Sequence, residues 1–226
     1  MLPEIFKLFW KTVERKDARR INSQTPPTEI EQFCDIQYID DGLWQHRLDV
    51  YSKSGKLSHC PVIIDIHGGG WMYGTKEINK NYCLVLAQND YVVVNINYRL
   101  APDFSVADQL RDCFFAFKWV STNIEKYGGD LNNVFVTGDS AGGFLAAYSA
   151  LLNSSEKLRR IFGVTESGLE FRACGLTSPV CFMNTHTFQD VYYSRVKGKE
   201  FSESTLRGFE NFDAVLNKGS MPPTFL

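Results

Sequence analysis

Short apolar runs that alternate with segments of helical period are the strongest constraint on this chain. Pro61-Val62-Ile63-Ile64-Asp65-Ile66 and Tyr91-Val92-Val93-Val94-Asn95-Ile96-Asn97-Tyr98 are almost continuously apolar, as strands buried on both faces are. Asn133-Val134-Phe135-Val136-Thr137 reads as a third strand and Ala173-Cys174-Gly175-Leu176 as a fourth. Between them the period changes. Residues 77–89 read as a helix, and so do 141–152. Residues 106–127 read as a long one, with Leu110, Cys113, Phe114, Phe117, Trp119, Val120 and Ile124 on its apolar face and Gly128-Gly129-Asp130 as its stop. Strands alternating with helices imply an α/β fold, a mostly parallel sheet covered on both faces. Residues 34–39 and 47–51, joined through Asp40-Asp41-Gly42, add a hairpin before it.

At 226 residues the chain is read as a single domain, 1–226. With 44% hydrophobic residues and a formal charge of −2, it is neither disordered nor built mainly for nucleic acid. It has no apolar run of transmembrane length. Residues 1–20 form an amphipathic helix: Ile5, Phe6, Phe9, Trp10 and Val13 line one stripe, and Lys7, Lys11, Arg15, Lys16, Arg19 and Arg20 line another. Such a helix either packs on its own domain or lies on an anionic membrane surface. Glu4, Lys7 and Lys11 interrupt the apolar stretch a signal peptide needs, so a cytoplasmic protein is expected. The six cysteines show no metal-ligand or C-x-x-C spacing and are read as reduced thiols, with a disulfide framework or a reactive thiol as the alternatives. No metal or cofactor is expected.

Two glycine-rich turns carry the chemistry. Gly138-Asp139-Ser140-Ala141-Gly142-Gly143 lies between an expected strand and an expected helix, the setting of a nucleophile elbow. There a sharp turn exposes the serine and needs small neighbours, while the helix N-terminus favours negative charge beside it. A glycine-rich turn carrying a serine by chance is the plain alternative. The sequence around Ser140 also resembles that around the serine of trypsin-like proteases, but the flanking helices oppose an all-β fold. His67-Gly68-Gly69-Gly70-Trp71 follows the strand ending at Ile66. Three glycines let backbone N–H groups approach a substrate and meet the charge that develops on its carbonyl oxygen. The alternative is a flexible turn with His67 as a core histidine. Two such turns at the carboxyl ends of strands in one sheet lie where open α/β sheets bind ligands.

In this order, the two turns together with Tyr98-Arg99-Leu100-Ala101-Pro102, Gly128-Gly129-Asp130 and Pro222-Pro223-Thr224 resemble the hormone-sensitive-lipase-like carboxylesterases of the α/β-hydrolase fold. The resemblance covers about residues 48–226. It implies Ser140 as nucleophile, the amides of Gly69, Gly70 and Ala141 as oxyanion hole, and His67, Gly68 and Asp139 as supporting residues. Asp65, Arg99 and Asp112 would be structural polar groups near the sheet. Residues 1–25 and about 181–220 would form a small cap, with Phe182, Met183, Phe188, Tyr192, Tyr193, Phe201, Phe209 and Phe212 as its apolar lid. A small-molecule ester, with a short acyl group, would be the substrate.

The resemblance also implies a triad acid and base after the serine, in that order. Only His186 of the four histidines follows Ser140, and it falls in the cap, as do Asp190 and Asp213. The family pattern therefore places acid and base past Leu226, along with the last strands and final helix. On that reading activity is impaired and the open sheet edge invites association of copies. A non-catalytic binding protein and an amide hydrolase using the same serine are the alternative functions.

Overall fold

The computed structural model describes residues 2–55, 58–183, 189–203 and 206–226. Helix α1 (Leu2–Asn22) precedes strands β1 (Ile30–Gln37), β2 (Arg47–Lys53) and β3 (Cys60–Ile66). Then α2 (Lys80–Gln88), β4 (Val92–Ile96), α3 (Val106–Asn123), β5 (Gly129–Asp139) and α4 (Ala141–Ser154) alternate. Helix α5 (Glu156–Phe162), β6 (Phe171–Thr177), α6 (Gln189–Glu203), α7 (Phe212–Leu216) and β7 (Thr224–Phe225) complete the order.

The seven strands form one sheet in the order β1-β2-β4-β3-β5-β6-β7. Strand β2 runs antiparallel to both β1 and β4, and every other pair is parallel. From β3 the chain moves outward to β4, then crosses back through α3 to β5 on the other side. The order therefore reverses at β3, the kind of switch point at whose carboxyl end open α/β sheets bind ligands. The His67 loop and the Ser140 turn are the segments that leave the carboxyl ends of β3 and β5.

The pleat divides the apolar residues between the two faces. Tyr51 and Val93 face α2, where they meet Cys83, Leu84 and Ala87. Val50, Val94, Val62 and Ile64 belong to the larger core with α3 and α4. Helix α4 is buried from Ala141 to Leu152, which explains why it shows almost no polar face. Helix α3 starts at a capping box, in which Ser105 accepts from the Asp108 N–H and the Asp108 carboxylate accepts from the Ser105 N–H.

The structure differs from the sequence reading at several boundaries and in one element. The long helix ends at Asn123 and tightens into a 3-10 turn, Ile124–Tyr127, closed by Gly128 in the left-handed region. Gly129 and Asp130 lie beyond that stop, as the first residues of β5. Helix α5 has no counterpart in the sequence reading, although Ser155 caps its start and left-handed Gly163 its end. All six cysteines are unpaired. Among the described residues no helix is long and apolar enough to cross a membrane. Strand β7 pairs with β6, and Phe225 and Leu226 are exposed beside it.

Candidate active site

Ser140 sits at φ 51°, ψ −113°, a strained conformation for a residue with a side chain, costing on the order of 1–3 kcal/mol. The backbone around it is held. Its N–H donates to the Thr177 carbonyl (2.9 Å), and its carbonyl accepts from the Phe144 and Val180 N–H groups (3.1 and 3.3 Å). Tight packing explains the glycines. A Cβ on Gly138 would lie 2.8 Å from the Ile66 carbonyl oxygen, and one on Gly142 would run into that same oxygen and into His67. The serine turn and the glycine loop are thus in direct contact across β3 and β5.

The glycine loop is a chain of anchored peptide groups. In a trans peptide the C=O and the next N–H point in opposite directions, so fixing one aims the other. Tyr98 donates from its hydroxyl to the His67 carbonyl (2.7 Å), and the Gly68 N–H donates to Asp139 Oδ1 (2.9 Å), which fixes the first group. His67 Nδ1 lies 2.7 Å from the Gly68 carbonyl oxygen, which fixes the second and turns the Gly69 N–H away. The Met72 and Tyr73 N–H groups donate to the Gly69 carbonyl (3.2 and 3.0 Å), which turns the Gly70 N–H away. The carbonyl of Ser140 does the same for the Ala141 N–H. No acceptor among the described residues takes the amides of Gly69, Gly70 or Ala141.

His67 is fully buried and its ring stacks on Tyr98 at 4.4 Å. Burial lowers it to about 4, against the Gly68 carbonyl and Asp139, which pull the other way. It is therefore neutral near pH 7, and its Nδ1 carries the proton donated to Gly68. Asp139 is tied as firmly. Asn79 donates from Nδ2 both to Asp139 Oδ1 (2.9 Å) and to Asp65 Oδ2 (3.0 Å). Burial pushes the Asp65 carboxyl up to about 7; the Asn79 hydrogen bond opposes this and the Asp139 charge adds to it.

A polar cluster around buried Asp112 is marked in the sequence only in part. Arg99 makes two-pronged contacts with buried Asp112, the shortest 2.7 Å, and its own N–H donates to the same carboxylate (2.9 Å). His46 completes the cluster, with Nδ1 2.6 Å from Asp41 and Nε2 3.1 Å from Asp112. Burial alone would lower the His46 imidazolium; Asp112, then Asp41, outweigh it and raise it above the ordinary value of 6.5. A raised folded-state value stabilises the fold fully below the unfolded value, about 6.5, and the contribution fades as pH rises through the folded value. Unfolding free energy should therefore lose a His46 component with rising pH, and that component should vanish in His46→Gln, as urea titrations across pH 5–9 would read. An equal pH profile for both proteins would contradict it.

No described histidine is hydrogen-bonded to Ser140. His46 is held between two carboxylates, His67 is bonded to its own loop, and His59 is exposed just before β3, at the opposite end of that strand. His186 and Phe188 lie outside the described residues. Asp190 and Asp213 lie in the first turns of α6 and α7. Among the described residues no cluster of His, Cys, Asp and Glu could hold a metal ion. Of the expected lid residues, Met183 and Phe201 are buried, Phe182 is half exposed, and Tyr192 and Tyr193 reach the glycine loop. Asn79 and His46 had no motif to mark them. Tyr98 lies in the Tyr98–Pro102 segment, but its hydroxyl bond to the His67 carbonyl, like the Asn79 bond to Asp139, joins distant chain segments.

A family model described as BD-FAE matches residues 48–185. The versiconal hemiacetal acetate esterase of Dothistroma septosporum is 38% identical over 131 residues, 57% of this chain and 38% of that protein. Carboxylesterase NlhH of Mycobacterium tuberculosis is 34% identical over 145 residues, 62% of this chain and 45% of that protein. The chain thus spans less than half the length of these curated relatives. Esterase B of Lactobacillus rhamnosis, in a form inhibited with a C4-C4 SN3 tributyrin phosphonate, has a TM-score of 0.90 at 31% identity, with 96% of this chain and 71% of that one covered. These similarities and the sheet order agree on an α/β-hydrolase fold.

Proposed function

This chain belongs to the BD-FAE family, among the hormone-sensitive-lipase-like carboxylesterases of the α/β-hydrolase fold, and from that membership we propose that it is a serine carboxylic-ester hydrolase acting through an acyl-enzyme on small acyl esters. The observation that carries the reading is the run of anchored peptide groups beside the strained serine turn. It leaves three N–H donors with no acceptor among the described residues, at the carboxyl ends of β3 and β5.

In the proposed reaction Ser140 Oγ attacks the ester carbonyl. Negative charge moves onto the carbonyl oxygen, and the amides of Gly69, Gly70 and Ala141 receive it. Donors already aimed at that position need no reorganisation, and each is worth roughly 3–4 kcal/mol in comparable sites. The alcohol leaves, and water attacks the acyl-serine to release the acid. Asp139 and His67 touch no reacting atom in this scheme; they hold the glycine loop. Because the serine hydroxyl needs a base, and no described histidine is hydrogen-bonded to it, the proposal assigns the nucleophile and the oxyanion donors and leaves base and acid unassigned. The tributyrin phosphonate on esterase B supports a short acyl group.

The test is labelling of the whole protein with a fluorophosphonate, read by peptide mass spectrometry, beside hydrolysis of p-nitrophenyl butyrate and its anilide counterpart. The expected result is label on Ser140 and turnover of the ester well above the anilide. Label elsewhere, or none, with no ester turnover, would overturn the esterase reading. Faster anilide turnover would move the activity to amides.

A further inference from the structure

We infer that Tyr192, on cap helix α6, is a positioning residue for the oxyanion loop, so that the loop is set only when the cap is docked on it. The inference rests on the esterase reading for its catalytic meaning and on the following geometry for its structural one.

Two segments far apart in sequence converge on one Cα. A Cβ added to Gly70 would lie 2.5 Å from Trp10 Cζ2 on α1 and 2.5 Å from the Tyr192 hydroxyl on α6. Trp10 stacks on Tyr73 at 5.3 Å and 13°, and Phe6 meets the Tyr192 ring edge-on at 5.1 Å. The Tyr192 hydroxyl donates to the Gly70 carbonyl. Tyr193 beside it meets Trp71 edge-on.

This is the loop position most in need of a hold. Gly70 at φ 57° and Trp71 at φ 63° are consecutive left-handed residues. The second carries a full side chain, at a cost of about 1–2 kcal/mol. The Gly70 amide is fixed on one side by the bonds to the Gly69 carbonyl. On the other side the peptide group joining Gly70 to Trp71 is fixed through its carbonyl by Tyr192. Without that hydroxyl the second group is free to rotate about ψ of Gly70 and φ of Trp71, which loosens the turn whose Met72 and Tyr73 bonds to the Gly69 carbonyl aim the Gly70 amide. The N–H of Gly70 then loses its fixed aim, although nothing has touched it directly.

The same helix is tied down farther along. Left-handed Gly198 breaks its course against Ser105, and Glu200 forms a two-pronged ion pair with Arg111 on α3, 3.0 and 2.7 Å. Docking of α6 on the α3 side thus holds Tyr192 over the loop.

Tyr192→Phe keeps the ring and removes only the hydroxyl. In the whole protein, kcat for p-nitrophenyl butyrate should fall about tenfold to a hundredfold with KM within about twofold, since donors are misaimed and ground-state binding is untouched. Amide hydrogen exchange at residues 69–72 should accelerate while the urea midpoint stays in place. Trp10→Phe, which retains an aromatic ring against Tyr73, should change kcat less. Unchanged kcat and unchanged exchange in Tyr192→Phe would overturn the inference. So would a kcat loss that merely follows the folded fraction. If the unmodified protein neither turns over the ester nor labels at Ser140, the esterase reading is what fails. The exchange comparison then still decides whether the hydroxyl orders the loop.

Discussion

Ser140→Ala is expected to lower kcat/KM for p-nitrophenyl butyrate in the whole protein by about four orders of magnitude or more, because removing the proposed covalent nucleophile leaves only binding and oxyanion stabilisation. The fold should not register the change. The bonds that shape the turn come from the Ser140 backbone, to Thr177, Phe144 and Val180, and alanine keeps all of them. The conformational strain at φ 51° is the same for a one-carbon side chain as for serine. The side-chain oxygen takes part in no hydrogen bond among the described residues, so its removal strands no partner. Activity and stability should therefore separate: urea midpoints within error, ester turnover near the buffer rate, fluorophosphonate label lost. A variant retaining a tenth of the activity would place the nucleophile elsewhere and dissolve the proposed role of the glycine loop with it.

How much of this was open to the sequence depends on whether a feature is local. The elbow and the glycine loop are local: a sharp turn between a strand and a helix admits few residue types, and Gly138, Gly142 and Gly68–Gly70 state them outright. The buried strands were equally readable, since both faces of β3 and β4 are covered and their residues are apolar without alternation. What escaped was set by pairing between distant segments. The reversal of strand order at β3 leaves no trace in any single strand. Asn79 lies in an ordinary polar stretch, and only the fold brings its amide between Asp65 and Asp139. His46 is one of four histidines until the antiparallel pairing of β2 with β4 carries it to Asp112. Tyr192 was picked out as lid apolar surface, but its hydroxyl, the part that touches the loop, has no signature in spacing. Helix α5 is a different kind of miss: it is short and mostly charged, so its caps are better evidence for it than its periodicity.

The glycine argument has its most severe test at Gly142. A Cβ added there would run into the carbonyl oxygens of Ile66 and His67, where the end of β3 meets the first turn of α4. An added methyl would have to displace the backbone of β3, the helix, or both, since no flexible side chain stands in its way. Gly142→Ala should cost more than about 4 kcal/mol, the range reserved for changes that force backbone or core to move. Ordinary loss of backbone freedom cannot explain such a value. Gly42→Ala provides the comparison: Gly42 is left-handed at φ 78° with nothing within 4 Å of the added carbon. It should cost only about 1–2 kcal/mol, the conformational penalty alone. Urea unfolding of both variants separates the two causes. If Gly142→Ala is no worse than Gly42→Ala, the serine turn and the glycine loop are not packed as described. If it is folded but destabilised, the expected accompaniment is loss of fluorophosphonate label, because relieving the clash moves the Ala141 amide and the Gly69–Gly70 amides apart.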